Sequence, residues 1–357
     1  MIFFVGDVEG LKMYLDSWGR PLARRVRMLS YDQIFRARRL RVGTYVFMNV
    51  DLLPRADAER TAIASASLAA LGPVVRLLNH PLHSLGRYEL LRTLKERGFN
   101  AFDVYSATEA RWPARFPVFI RETNDHTGPV TALLHSGDAL ATALDDLTAN
   151  GKSREGKLIV EFCETADGHG IYRKYSAQIV GEHIVPVHIA FSRSWVTKGT
   201  RLDDEALLRE EFEYVCSNPH EQALREIFAL AHIEYGRIDY GLLEGAVQTW
   251  EINTNPFIIA AEFGAPGRRP SCEHVASRLN AALAAIDSPA PAQLRIPNPL
   301  RRRWVRGRQR RIVRAGLALL GLARHEPTVI AALSGCLAAV TRVLRGIRTA
   351  SALLRRR

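Results

Sequence analysis

The chain has 357 residues, 47% of them hydrophobic and 24% charged, a balance that allows two or three domains with sizeable cores and excludes a disordered or low-complexity polymer. Its net charge of +12 is unevenly spread: residues 295–357 hold sixteen arginines, no lysine and one acid, Glu326, for a local +15, so residues 1–294 carry −3. Cys163, Cys216, Cys272 and Cys336 are scattered, with no C-x-x-C pair, which argues against a zinc ribbon and for reduced thiols in a cytoplasmic protein. The start MIFFVGDVEG lacks the basic region and cleavage site of a signal peptide. The longest uncharged apolar run of the tail, 327–341, is too short to span a bilayer.

In chain order, TYVFMNVDLL (44–53) and VVRLLNH (74–80) read as strands on either side of an alanine-rich helix at 55–71. Short joins between strand, helix and strand imply a parallel pair. A second helix follows at 87–98, stopped by Gly98. Residues 20–41 hold eight arginines, which suit a solvated face or a binding surface equally. His80 and His83, in NHPLHS, fit a structural role better than a catalytic one.

From about 114 the pattern changes. FPVFIR (116–121) is a short strand, 136–150 a helix opening at Ser136, and KLIVEFC (157–163) a buried strand. IYRKYSAQIVGEHIVPVHIAFS reads as two antiparallel strands joined at Gly181-Glu182, and helices are expected at 203–215 and 219–235. The expected organisation is an α/β domain at 1–113, an α+β domain at 114–290 and an Arg-rich helical or disordered tail at 291–357, after a proline-spaced stretch (287–303). In the tail, helices are expected near 304–324 and 327–354, the second carrying Arg342, Arg345 and Arg348 along one side. Such a helix fits an anionic membrane, RNA or an acidic partner as well as a solvated extension.

The segment RIDYGLLEGAVQTWEINTNP (237–256) alternates like a hairpin with its turn at Glu244-Gly245. Val247, Thr249, Glu251 and Asn253 follow one another at spacing two on the second strand. A three-residue connection sets Asp239 directly across from Glu251; a two-residue turn sets Trp250 there instead. Facing acids destabilise a sheet unless something positive lies between them. Two carboxylates and the Asn253 amide oxygen make a hard-cation site suited to Mg²⁺ shared with phosphates. The bland alternative pairs the acids with lysines or arginines.

FPVFIR, IVEF, YRKYSAQIVGEHIVP, WVTKG and this hairpin, in that order, resemble the ATP-grasp superfamily, which includes D-alanine–D-alanine ligase, glutathione synthetase and ribosomal-tail glutamate ligases. The likeness covers about 114–260, and its most specific part is R-x-D followed by E-x-N-x-N-P. The resemblance implies two α+β subdomains clamping ATP with Mg²⁺ (or Mn²⁺). Asp239, Glu251 and Asn253 would be metal ligands, and Arg237 would lie beside the transferred phosphoryl group. Arg193 and Lys198 would contact phosphate. Glu161, Phe162 and Cys163 match the adenine hinge, with Cys163 more a packed residue than a nucleophile, and Asp167 falls near the ribose acid. Arg173 and Asn255 match substrate-facing positions. Where the family delivers two lysines to the phosphates this chain has Arg121 and Arg87, and its glycine-rich flap is reduced to ETNDHTGPV, with His126 as a possible aid.

The function implied is an ATP-dependent ligase that activates a carboxylate as an acyl phosphate and joins it to an amine of an amino acid or peptide. The alternatives are a nucleotide-binding regulator without turnover and a protein that works through its tail on membrane or RNA. A homodimer is left open.

Overall fold

Ile2–Val5 and Thr44–Phe47 are buried along their whole length, the Thr44 hydroxyl donating to the Ile286 carbonyl, so neither strand can face water on either side. The computed structural model describes residues 1–300 apart from 8, 126–127, 198–201, 203, 259–265 and 290–293. In chain order the first elements are β1 (Ile2–Val5), α1 (Glu9–Asp16), β2 (Val26–Leu29), α2 (Tyr31–Arg36), β3 (Arg39–Arg41), β4 (Thr44–Phe47), α3 (Arg55–Ala69), β5 (Arg76–Leu78) and α4 (Arg87–Glu96). Strands β2-β1-β4-β5 form a four-stranded sheet in which every pair is parallel. The expected α/β character and the parallel β4–β5 pair are therefore present. The short strands β1 to β3 are additions to the sequence reading.

The second group comprises β6 (Val104–Ser106), β7 (Val118–Glu122), α5 (Gly137–Ala149), β8 (Lys157–Glu161), β9 (Tyr172–Val180), β10 (His183–Ser192), α6 (Glu205–Ser217), α7 (Glu221–Ala231), β11 (Tyr235–Leu243), β12 (Ala246–Asn253), α8 (Arg269–Ala285) and β13 (Arg295–Pro297). β6-β8-β7 is an antiparallel sheet backed by α5, whose leucines Leu140, Leu144 and Leu147 pack on Val118 and Ile120. Val104–Ser106, although N-terminal to residue 114, is a strand of this sheet. β10-β9-β11-β12 is the larger antiparallel sheet, with α6, α7 and α8 against β10. The β9–β10 turn falls at Gly181, whose φ of 63° suits glycine. Asp204 caps α6 by accepting from the Leu207 amide. Helix α7 ends at Ala231, short of the expected 235, because His232 turns left-handed and Tyr235 opens β11.

One amide joins the parallel sheet to the large antiparallel one. Asn79, fully buried, donates from Nδ2 to the carbonyls of Phe47 and Tyr235 and accepts at Oδ1 from the amides of Glu234 and Tyr235. A buried side chain with both ends satisfied fixes register rather than merely filling space. β13 pairs with β3 in a separate ribbon. The chain divides after Pro297; of the second unit only 298–300 are described, so both expected tail helices lie outside the described residues. Among the described residues no helix is long and apolar enough to cross a membrane.

Candidate active site

The hairpin β11–β12 turns in two residues: Leu243 pairs with Ala246, and Glu244 and Gly245 take φ of 51° and 83°. Two left-handed residues match the twist of the flanking strands. A regular ladder from that turn would set Trp250 across from Asp239. Instead Tyr240 pairs with Thr249 and Asp239 with Glu251, leaving Trp250 as the extra residue of a β-bulge. The acids face each other although the turn is the shorter of the two alternatives. The bulge also overturns one expectation. Val247 and Thr249 share the face of Leu242 and Tyr240, whereas Glu251 and Asn253 share that of Asp239 and Arg237.

Asn100 holds this irregularity from outside. Its amide donates to the Thr249 carbonyl (3.1 Å) and accepts from the Thr249 amide (2.9 Å), while the Ala101 amide donates to Gln248 Oε1. Released from the ladder, the Trp250 ring packs against Phe102, centroids 5.3 Å apart. A Cβ on Gly241 would stand 2.9 Å from the Trp250 ring, so only glycine leaves it room.

A cleft lies between the β6-β8-β7 sheet and the hairpin sheet. One end is aromatic: Trp195 sits 5.0 Å from Phe119 and 5.7 Å, edge-on, from Phe162. Val160, Cys163 and Trp250 extend that wall. The other end is charged, lined by Arg121, Arg173, Lys174, Asp239 and Glu251. A flat apolar group at one end and an anion at the other is what such a cleft accommodates.

The acids are already in company. Asp239, 3% exposed, accepts from Lys174 Nζ (3.1 Å) at Oδ2 and from Ser176 Oγ (2.8 Å) and Arg237 Nε (3.1 Å) at Oδ1. Burial pushes its carboxyl up, but Arg237 and Lys174 outweigh that and hold it below the ordinary carboxylate range. Glu251 Oε2 accepts from Arg87 and, at 3.2 Å, from Arg121. Burial, with Arg87 alongside, draws the Arg121 guanidinium below its usual value, against the pull of Glu251. Arg121 Nε is buried with no hydrogen-bond partner among the described residues.

Arg87 does not line the cleft. Its NH1 donates to the carbonyls of Glu122 (3.1 Å), Thr123 (2.6 Å) and Asp125 (3.0 Å), so it ties the glycine-poor loop after β7 to the hairpin acid. Gly128 and Pro129 of that loop reach the cleft wall. His126 lies outside the described residues, as does Lys198.

The remaining expected positions divide. Glu161, Phe162 and Cys163 line the cleft as a hinge would. The Glu161 and Phe162 amides are spent on the carbonyls of Asp103 and Pro117, and the Glu161 carboxylate on Tyr105, Arg115 and the Asp103 amide. Burial pushes the Cys163 thiol up to about 11, which suits a packed residue and not a nucleophile. Arg173 reaches the cleft wall, though Glu210 and Asp167 both hold it. Asp167, bonded first by Arg173 and then by the Ile171 amide, titrates well below the ordinary carboxylate range and is away from the cleft lining.

Arg193 is exposed and donates to the His169 carbonyl, outside the cleft lining, so it is not placed as a phosphate contact. Asn253 Oδ1 accepts from the Asn255 amide, and neither asparagine lines the cleft. His80 and His83 stack with centroids 4.0 Å apart, also away from it, consistent with a structural role. Lys174, Trp195 and Phe119 escaped the sequence reading. A lysine two residues before the Ser176 that pairs with Asp239 was the available signal.

No protein-family model and no curated protein matches the sequence. Solved structures do. D-alanine–D-alanine ligase from Bacillus anthracis complexed with ATP is 11% identical, covering 78% of this chain and 97% of its own, at a TM-score of 0.41. The ATP-grasp ligase PsnB, complexed with a variant of its minimal precursor, Mg and ADP, is 13% identical over 80% of this chain and 96% of its own, at 0.45. A RimK domain ATP-grasp protein from Sphaerobacter thermophilus is 15% identical over 78% and 98%, at 0.40.

Proposed function

We propose that this chain is an ATP-dependent ligase that activates a carboxylate as an acyl phosphate and joins it to an amine. One observation carries the reading: the R-x-D and E-x-N-x-N-P strands face their acids into the charged end of a cleft whose other end is aromatic. The aromatic end, with the backbone of Glu161 to Cys163, takes the base. Arg121 and Lys174 take the phosphates.

In the reaction a carboxylate oxygen attacks the γ-phosphorus and the bond to the β-phosphate oxygen breaks, releasing ADP. An amine then attacks the acyl carbon, phosphate departs, and the amine proton passes to phosphate or water. Both steps bring anions together, so the work asked of the chain is to orient and to neutralise. Arg121 and Lys174 supply fixed positive charge where the transferred group passes. Arg87 holds the loop after β7 against the hairpin, which keeps water from that end of the cleft. No Ser/His/Asp arrangement is required.

The ATP-grasp resemblance also implies Mg²⁺ on Asp239, Glu251 and Asn253. These residues do not fit that ion as they stand. Both Asp239 oxygens accept from cations or a hydroxyl, two guanidiniums share one Glu251 oxygen, and the Asn253 oxygen is engaged by a backbone amide. No step is therefore routed through a metal.

The same saturation favours a second reading, nucleotide binding without turnover. The test is ADP release from ATP in the presence of pooled amino acids and short peptides. Release that needs both a carboxylate and an amine supports the ligase. Binding of ATP with no ADP from any pool supports the second reading, and no ATP binding overturns both.

A further inference from the structure

A buried carboxylate, Asp239, and a part-buried one, Glu251, on facing strands would repel one another unless compensated. Here the compensation is covalently part of the chain: Arg87 and Arg121 on Glu251, Lys174 and Arg237 on Asp239. Four cations against these two acids, with Asp125 as a third acid acting on Arg121, leave positive charge in excess before any ligand arrives. The four differ in place. Arg87 is fixed by three carbonyls, Arg237 by the Phe257 carbonyl and Arg121, at 3.3 Å, by that of Asp125. Of the four, Arg121 and Lys174 line the cleft.

We propose that the Asp239–Glu251 pair holds these protein cations in place of a divalent ion, so that the cleft binds the phosphates of a nucleoside triphosphate through Arg121 and Lys174 without a bridging metal. A divalent ion placed between the acids would meet guanidiniums that cannot lose their charge. One of them, Arg87, cannot withdraw without releasing the loop at 122–125. Arg121 in place of a lysine suits the task, because a guanidinium presents a forked set of donors to phosphate oxygens as well as charge. Glu251 is then a positioning residue, aiming Arg121 into the cleft, and Asp239 does the same for Lys174.

This inference rests on the nucleotide reading above, and its test separates the two. Binding of the non-hydrolysable analogue AMPPNP to the full-length protein is followed by calorimetry in excess EDTA and again in excess Mg²⁺. Dissociation constants within tenfold of each other are expected. A loss greater than tenfold in EDTA overturns the metal-free reading while leaving the nucleotide reading intact. No binding in either solution overturns the nucleotide reading itself, and this inference with it.

Arg121→Met and Lys174→Met, each checked for native circular dichroism, are expected to weaken binding in EDTA by tenfold or more. Unchanged affinity in both variants overturns the assignment. Glu251→Gln is expected to bind with the same Mg²⁺-to-EDTA ratio as the wild type. A ratio that collapses in this variant identifies Glu251 as a metal ligand and overturns the proposal.

Discussion

Two glutamates of this fold, one buried and one part-buried, meet arginine in opposite ways. Glu211, on α6 and 2% exposed, accepts from Arg268, 7% exposed just before α8, and from the Ile189 amide of β10. That contact locks two helices to a strand, outside the cleft lining. Glu251, on β12, meets two arginines at the edge of the cleft, one tied to the loop after β7 and the other lining the cleft. The chemistry is the same and the surroundings differ. A paired ion inside the core fixes geometry, while an over-paired one beside a cavity leaves attraction for a ligand.

The contrast can be broken at either end. The largest effect is expected from Arg268→Met, which takes a guanidinium from the buried Glu211 and should cost about 3–5 kcal/mol of stability, measured by urea denaturation. AMPPNP affinity of the folded protein should be unchanged, and a binding defect equal to that of Arg121→Met would erase the distinction drawn above. Arg87→Met comes next. It removes three carbonyl bonds and one of the guanidiniums on Glu251, so about 2 kcal/mol of stability should go, together with nucleotide affinity. Proteolysis at the loop after β7 should accelerate in the same variant.

Trp195→Ala should leave stability nearly untouched and weaken AMPPNP binding roughly five- to tenfold, the worth of one aromatic contact at about 1–1.5 kcal/mol. Equal binding by wild type and variant would remove the aromatic end from the site. The smallest effect concerns pH. His220 is half-buried among Tyr175, Tyr214 and Tyr240, and burial lowers its pKa. The unfolded chain then binds its proton more readily, so stability is fully present above the ordinary histidine value of 6.5 and declines as pH falls below it. Tm should drop between pH 7.5 and 5.5, and by less in His220→Gln.

The hairpin was legible because its signals are local: a turn with Gly245, alternation on β11, and acids at fixed spacing. The parallel pair β4–β5 was legible for the same reason, as two apolar runs about a helix. What escaped was set by distant contacts. Nothing in QTWEIN marks Trp250 as the residue expelled from the ladder, because the bulge depends on Asn100, about 150 positions away in the chain, and on the room left by Gly241. Lys174 was invisible until β9 and β11 were paired in register. Arg87 was placed at the phosphates by its position in a pattern, yet its guanidinium turns to carbonyls that only the folded loop brings together. β2 and β3 were missed because they lie within the arginine-rich stretch 20–41, where charge masks apolar alternation.

Asn100 has a consequence beyond the geometry of the cleft. β12 is the outermost strand of its sheet, and an outermost strand offers bare amides and carbonyls to any passing chain. With both backbone groups of Thr249 taken by the Asn100 side chain, and the Ala101 amide turned to Gln248, that margin is closed where the strand already kinks. The same amide that lets two acids face each other thus guards the molecule against self-association, so losing it would show first as turbidity on storage and only later as a defect in binding.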